Sequence, residues 1–377
     1  MKKLFIFSFF LLNFKFCFGI DTPAKQALLY DLETNTIIFE KNADDLMSPS
    51  SMSKVMTIYY LFKKIQDGEV SLNDKFKVSK KAWKKGGSRM FLNVNSLVTI
   101  EELIRGIIVQ SGNDACITLA EGLSGSEEEF AEELNILAKE IGLKNAFFKN
   151  STGWPDPDHL MTSRDLLNLA IRTIEDFPDL YHYYSEKEFK YNDIKQSNRN
   201  PLIYSNPIAD GLKTGHTSLG GYGLVASVKK DDRRLIIVLN GLKSNNQRRK
   251  ESERLVRVGF NQFKNINLVE QQTTILNIPV WGGKKKLLPI YSEQDIKITV
   301  PKKLKKNLKY FIKYNSPAIA PIKKNEKVAE FVIKKSNNEV LKKYDLFAEN
   351  EIRELNFFGR IFQNFKYLIF GETALLR

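Results

Sequence analysis

Apolar positions along the chain change period several times, and each change marks an element. Gln26 to Leu32 and Thr36 to Glu40 are apolar runs around Glu33-Thr34-Asn35, which predicts a β-hairpin. Val55, Met56, Ile58, Tyr59, Leu61, Phe62 and Ile65 then predict a helix that is apolar almost all round and is ended by Asp67-Gly68. Such a helix belongs at the centre of a domain. Thr99 with Glu101 and Glu102 starts another, running through Leu103, Ile104, Ile107 and Ile108 to Ser111-Gly112. Further helices fit Ser126 to Ile141, closed by Gly142, and Ser163 to Ile174, begun by a Ser/Thr cap. From Gly211 the period shortens. Gly221 to Lys229 and Arg234 to Leu242 read as strands joined by Lys230-Asp231-Asp232, and Gln247 to Phe260 returns to helical spacing.

Beyond Asn265 the runs are short: Thr273 to Val280, Ile296 to Val300, Tyr310 to Tyr314 and Val328 to Ile333, separated by Gly, Pro and Lys-rich turns. They predict a small all-β domain with its boundary near residue 265. The domain before it both begins and ends on strands, so its sheet should be largely antiparallel with helices packed on it, an α/β (α+β) architecture. The last segment, Asn356 to Leu376, sets Phe357, Phe358, Ile361, Phe362, Phe365, Leu368 and Ile369 on one helical face against Arg360, Gln363, Asn364 and Lys366. Docking on the β domain and lying in a membrane interface are the two readings of such a helix. Four phenylalanines in one stripe favour the membrane.

The amino terminus adds a third region. Lys2 and Lys3 precede an apolar stretch from Leu4 to Leu12, and Gly19 offers a small residue for cleavage, the pattern of a secretory signal peptide. Lys15 interrupts a segment too short to cross ~30 Å of hydrocarbon. The expected organisation is therefore a signal peptide over 1–19, a main domain over 20–265, a small β-rich domain over 266–345 and an amphipathic membrane-anchoring segment over 346–377.

Export changes how charge and thiols are read. Residues 1–19 hold three lysines and no acid, so cleavage takes the formal charge from +14 to +11. The lysines are scattered and an exported chain has little access to nucleic acid; an anionic membrane surface or wall polymer is the better partner. Cys17 leaves with the signal peptide, and Cys116 alone cannot form an intrachain disulfide. His159, His182 and His216 are the only histidines, none at metal-ligand spacing with another, so no metal is expected. Gly86-Gly87 and Gly220-Gly221 open no phosphate-binding helix, and no nucleotide or other cofactor is implied.

The densest candidate chemistry is Ser48 to Thr57, S-P-S-S-M-S-K-V-M-T. A serine hydroxyl needs a positioned base to act as a nucleophile. Residues three apart on a helix share a face, and only Ser51 stands three before Lys54. Desolvation or a second cation would lower the lysine pKa and free its amine. S-x-x-K alone is weak, since Ser227 to Lys230 also matches. Ser111-Gly112-Asn113, read as a loop after the apolar helix, supplies a hydroxyl and a carboxamide, although S-x-N recurs at Ser71, Ser244 and Ser336. Lys213-Thr214-Gly215 is the only K-T-G and adds a second cation. In the order S-x-x-K, S-x-N, K-T-G the set is specific: it is the motif set of penicillin-binding proteins and class A β-lactamases.

The chain resembles the D-alanyl-D-alanine carboxypeptidases, the low-molecular-mass penicillin-binding proteins. The likeness also rests on Ile104-Arg105-Gly106, Gln110 to Cys116, Asn198-Arg199-Asn200, Asp210 to Thr217, and Gly221-Tyr222 with Leu224 to Ser227. Pro201 stands where that pattern has glycine. The resemblance implies that Ser51 attacks the penultimate D-alanine carbonyl of a peptidoglycan stem peptide, that Lys54 takes its proton, and that Ser111 relays a proton to the leaving amine. It gives Lys213 a nearby positive charge, Asn113 the substrate amide, the backbone N–H groups of Ser51 and His216 the oxyanion, and Thr214 with Arg248 the terminal carboxylate. Arg249 is adjacent, and spacing to Glu251-Ser252 favours Arg248. β-Lactams follow as covalent inhibitors, and the expected location is periplasmic, attached peripherally to the outer face of the cytoplasmic membrane.

Two other functions fit parts of the sequence. A class A-like β-lactamase needs a carboxylate to activate water, and the region from Ser163 to Asn168 offers Asp165 without the expected glutamate spacing. An inactive wall-binding scaffold would tolerate loss of Ser51 or Lys54, yet both are present. A Ser-His-Asp triad from Ser151, His159 and Asp156 or Asp158 falls in a loop around Trp154 to Pro157.

Overall fold

The computed structural model describes residues 20–370. Segment 1–19, expected to be a signal peptide, and the tail residues 371–377 lie outside the described residues. The hairpin Gln26–Asp31 and Thr36–Lys41 forms one side of a five-stranded antiparallel sheet, followed in space by Arg233–Leu242, Gly221–Lys230 and, at the far edge, Ala209–Thr217. Alternation along each strand builds two cores. Leu28, Leu212, Val225, Ile236 and Val238 face the larger helical layer. Leu29, Leu224, Ala226, Ile237 and Leu239 face Leu255, Val256 and Val258 of the helix Asn245–Gln262.

The helix Lys54–Gln66 lies inside the larger layer, with every residue from Lys54 to Phe62 buried. Phe62 meets the edges of Phe177 and Tyr184. Each fully buried side chain of this kind contributes about 1.5–3 kcal/mol, enough to hold the helix whatever its intrinsic propensity. The next helix, Ile100–Ile108, starts where Thr99 and Glu102 cap each other reciprocally.

The segment after the helix Ile100–Ile108 departs from the sequence expectation. Ser111-Gly112-Asn113 was expected to be a loop, but Asn113 opens a helix that continues to Ser124. Residues Asn113 to Ala120 are all buried, so no polar stripe marks a helical period. Gly122 permits close contact there, since a Cβ would sit 2.2 Å from the Phe76 ring.

A second unit follows. Phe263–Val269, which runs across the expected boundary, pairs with Ile296–Pro301. A six-stranded sheet comprises Leu308–Tyr314, Lys327–Lys335, Val340–Ala348, Leu287–Tyr291, Thr274–Trp281 and Ala318–Ile319 in spatial order. Its core centres on Ile278, Val280, Leu288, Ile290, Ile333 and Leu346. The turn of the first hairpin joins the two units: Lys342 Nζ donates to Thr34 O at 2.6 Å, and Asn265 Nδ2 to Asp31 Oδ1 at 3.1 Å.

The terminal helix Phe357–Phe370 rests on this second unit through a few polar and aromatic contacts. Gly282 N donates to Gln363 Oε1 at 3.0 Å, and Tyr367 packs edge-on against Trp281. Phe357, Phe358, Ile361, Phe362, Phe365, Leu368 and Ile369 all remain exposed. At 100° per residue, Gln363 and Tyr367 lie roughly opposite the centre of that stripe. Among the described residues no helix is long and apolar enough to cross a membrane.

Candidate active site

Ser51 sits in a tight helical turn, Ser50–Ser53, just ahead of the helix begun by Lys54. Two glycines fix that turn. Gly153 has φ +72°, and a Cβ there would lie 2.0 Å from Ser50 O. Gly215 lets the edge strand approach, because a Cβ would lie 2.8 Å from Pro49 O. Ser50 itself is left-handed at φ +51°, an uncommon conformation held by these neighbours. The turn that carries Ser51 is thereby held between the Gly153 loop and the Gly215 strand.

Lys54 is fully buried, and its Nζ has three partners: Ser51 Oγ at 2.8 Å, Asn113 Oδ1 at 2.8 Å and Thr152 O. A carbonyl oxygen can only accept, so two of the amine's protons go to Asn113 and Thr152. The third position faces a hydroxyl, which can either accept a proton or donate one. Burial pushes the lysine down to about 8, with the Arg199 and Lys85 charges adding to the effect. A neutral Lys54 then turns its lone pair towards the Ser51 proton, the geometry a general base requires.

Ser111 and Asn113 approach from the opposite wall. Ser111 has φ +65°, and its buried Oγ has no hydrogen-bond partner among the described residues. Asn113 Nδ2 donates to Gly86 O at 2.9 Å. The adjacent Asp114 is buried and accepts from the backbone of Met90, Phe91 and Leu92 at 2.8, 2.9 and 3.2 Å. That carboxylate joins the Ser111 turn to the Ser88–Leu92 wall.

The edge strand brings Lys213, Thr214 and His216. Lys213 is buried, with its Nζ 3.2 Å from Thr214 O. Burial, with the Lys54 and Arg199 charges, holds it well below the ordinary lysine range. The His216 ring lies 3.9 Å from that of Tyr222. Arg248 reaches the same strand: its guanidinium donates to Gly215 O at 3.4 Å, Gly223 O at 3.3 Å and Asn245 Oδ1 at 2.8 Å. Burial lowers it to about 10. Arg249 points outward and pairs with Glu253 at 3.4 Å. The adjacent arginines thus have different surroundings, and Arg248 is the one at the cleft.

Ser51, Ser111, Asn113, Thr214, His216 and Arg248 line one cleft of about 620 Å³, with Lys54 and Lys213 beneath its floor. Arg199 lines it too, with Nη1 on Ser88 Oγ at 2.5 Å. Sequence reasoning gave Arg199 no role because it has no spacing relation to the three motifs; only its place in Asn198-Arg199-Asn200 marked it. Trp154 closes another side, stacked under Lys85.

The competing candidates lie elsewhere. Asp165 is buried and occupied with Thr162, whose Oγ1 donates to it at 2.6 Å in a helix cap. Ser151 Oγ donates to Glu127 Oε1 at 2.8 Å rather than to His159. His159 is buried, and burial pushes it down to about 4. Among the described residues no group of three or more His, Cys, Asp or Glu could hold a metal ion.

Acyl transfer through a serine ester is the chemistry open to this geometry, and on a helix-covered antiparallel sheet it defines the penicillin-binding class of serine peptidases. The chain belongs to the D-alanyl-D-alanine carboxypeptidase family: the model bearing that description matches residues 18–244. A model described as penicillin-binding protein 5, C-terminal domain, matches residues 263–354. The chain is 35% identical to D-alanyl-D-alanine carboxypeptidase DacC of Escherichia coli, over 91% of this chain and 88% of that one. Penicillin binding protein 5 from Haemophilus influenzae superposes with a TM-score of 0.81 at 33% identity, covering 89% of this chain and 100% of the other. The D-alanyl-D-alanine carboxypeptidase DacD from Francisella tularensis gives 0.80 at 29% identity, over 89% and 95%.

Proposed function

We propose that the chain removes the terminal D-alanine of peptidoglycan stem peptides through an acyl-enzyme on Ser51. The observation that carries this reading is the 2.8 Å bond between Ser51 Oγ and the buried Lys54 Nζ. Ser51 Oγ attacks the carbonyl carbon of the penultimate D-alanine and passes its proton to neutral Lys54. Backbone N–H groups of Ser51 and His216 hold the oxyanion, a contribution of about 2.7–4 kcal/mol per donor. The proton then moves from Lys54 through Ser111 to the leaving nitrogen as the C–N bond breaks, and D-alanine departs. Water, deprotonated by Lys54, cleaves the ester and returns Ser51. Lys213 supplies positive charge, Asn113 holds the substrate amide, and Thr214 with Arg248 binds the terminal carboxylate; the burial of Arg248 supports that role, since a desolvated guanidinium pairs strongly with a carboxylate. A β-lactam presents a carboxylate and a strained amide to the same groups, so it acylates Ser51. Asp165 lies outside the cleft, which supports slow release of that adduct.

Incubation with diacetyl-Lys-D-Ala-D-Ala tests the reading: free D-alanine is expected, together with a persisting benzylpenicillin adduct by mass spectrometry. A well-folded chain that releases no D-alanine would be a scaffold, and rapid turnover of the β-lactam would make it a β-lactamase. The state of Lys54 adds a pH signature. An amine at about 8 is protonated below that pH and free above it, so the acylation rate should rise as pH increases through about 8. A rate constant across pH 6–9 would remove Lys54 as the base.

The exported, periplasmic location belongs to the same proposal, with the amphipathic helix attached to the outer face of the cytoplasmic membrane. Its support is that the helix contacts the β unit through Gln363 and Tyr367 while the phenylalanine stripe stays exposed. Deleting 356–377 is expected to leave peptide hydrolysis intact and to free the protein from lipid vesicles. Continued sedimentation with vesicles would give the stripe another purpose.

A further inference from the structure

The strand Thr274–Trp281 turns back into Leu287–Tyr291 through a hairpin whose tip carries Lys284, Lys285 and Lys286. All three are exposed, and among the described residues no ion pair engages them. The same hairpin seats the terminal helix. Leu355 N donates to Gly282 O at 2.7 Å, Gly282 N donates to Gln363 Oε1, and Lys284 N donates to Arg353 O at 2.9 Å. Lys284 is two residues from Gly282, so its Cα lies within about 7 Å of that glycine's. The helix adds cations of its own. Arg360, which pairs with Glu354 at 3.2 Å, and Lys366 are exposed at opposite margins of the apolar stripe, where a long side chain such as that of Lys366 can reach past an apolar surface to a polar layer.

We propose that the lysine hairpin and the apolar stripe form one composite surface that recognises an anionic lipid bilayer, the stripe entering the acyl boundary and the hairpin binding headgroup phosphates. The inference rests on the membrane reading of the helix and goes beyond it by assigning lipid selectivity to residues of the β unit. Charge complementarity is the argument: three adjacent unpaired cations stand on the hairpin that seats the helix, whose outward stripe includes four phenylalanines and stays unburied. A lysine near an anionic surface contributes enough to change partitioning about five-fold, so three together give about 100-fold.

The test uses the full chain with vesicles of phosphatidylcholine alone or mixed with phosphatidylglycerol. The wild type should bind the mixed vesicles more tightly, and Lys284→Ser/Lys285→Ser/Lys286→Ser should lose about 100-fold on them while binding neutral vesicles as before. D-alanine release by the triple variant should equal wild type, which shows that it has folded. A triple variant that keeps the full anionic preference overturns the inference. A wild type that binds both vesicles equally overturns it too while leaving the helix as an anchor; one that binds neither removes the anchor itself. If the substitutions abolish binding of soluble polyphosphate but change nothing on vesicles, the partner is a wall polymer and the lipid assignment fails.

Discussion

Ser51→Ala is expected to lower D-alanine release at least about 10,000-fold and to abolish the benzylpenicillin adduct. The hydroxyl is the only group removed, and Lys54 keeps its bonds to Asn113 Oδ1 and Thr152 O, so the cleft should hold its shape. The side chain is half-buried at the cleft floor, so deleting one oxygen leaves no cavity of consequence and the melting temperature should scarcely move. Residual hydrolysis would come from the oxyanion donors acting on bound substrate with water as nucleophile. A stoichiometric adduct on the alanine variant, mapped by peptide mass, would assign the nucleophile to another residue.

Replacing Lys54 should cost about 100- to 10,000-fold in the acylation rate, the range of a lost general base. Two substitutions separate its proposed role from that of a mere charge. Lys54→Ala removes both base and cation and strands Asn113 Oδ1 and Thr152 O, so a stability loss of about 1–3 kcal/mol per unsatisfied group accompanies the loss of rate. Lys54→Arg keeps a cation able to bond those oxygens, but a guanidinium does not give up its proton at any working pH. If Lys54 is the base, the arginine variant should be nearly as slow as the alanine variant at every pH, although its guanidinium still supplies a cation. Acylation by Lys54→Arg near the wild-type rate would show that charge suffices and that the proton travels by another path.

Much of this arrangement was legible in the letters, for identifiable reasons. The central helix declared itself through seven apolar residues between Val55 and Ile65, and Ser51 was separated from its neighbours by a three-residue spacing alone. The sheet strands around Lys230-Asp231-Asp232 were visible because a charged turn interrupts two apolar runs. The helix from Asn113 was not, since burial on every side erases the polar stripe on which recognition depends. Arg199 escaped assignment because its relation to Lys54 and Lys213 exists only in three dimensions. Likewise Arg248 and Arg249 differ little as text; one is buried against Gly215 and Gly223, the other reaches Glu253. In the second unit the strands could be read, but not their spatial order, in which the short Ala318–Ile319 runs parallel to Thr274–Trp281. For the tail, the pattern showed an amphipathic helix, and only its contacts with Trp281 and Gly282 tell which side is turned inward.

Asp114 has a consequence for how readily this enzyme could be retuned. Because one carboxylate fastens three successive amides of the Met90–Leu92 segment to the residue beside Asn113, the wall that reaches the cleft at Ser88 cannot be reshaped without dragging Asn113 along. Laboratory evolution towards bulkier peptides should therefore accumulate its changes around Trp154, whose side chain lines the cleft and packs under Lys85.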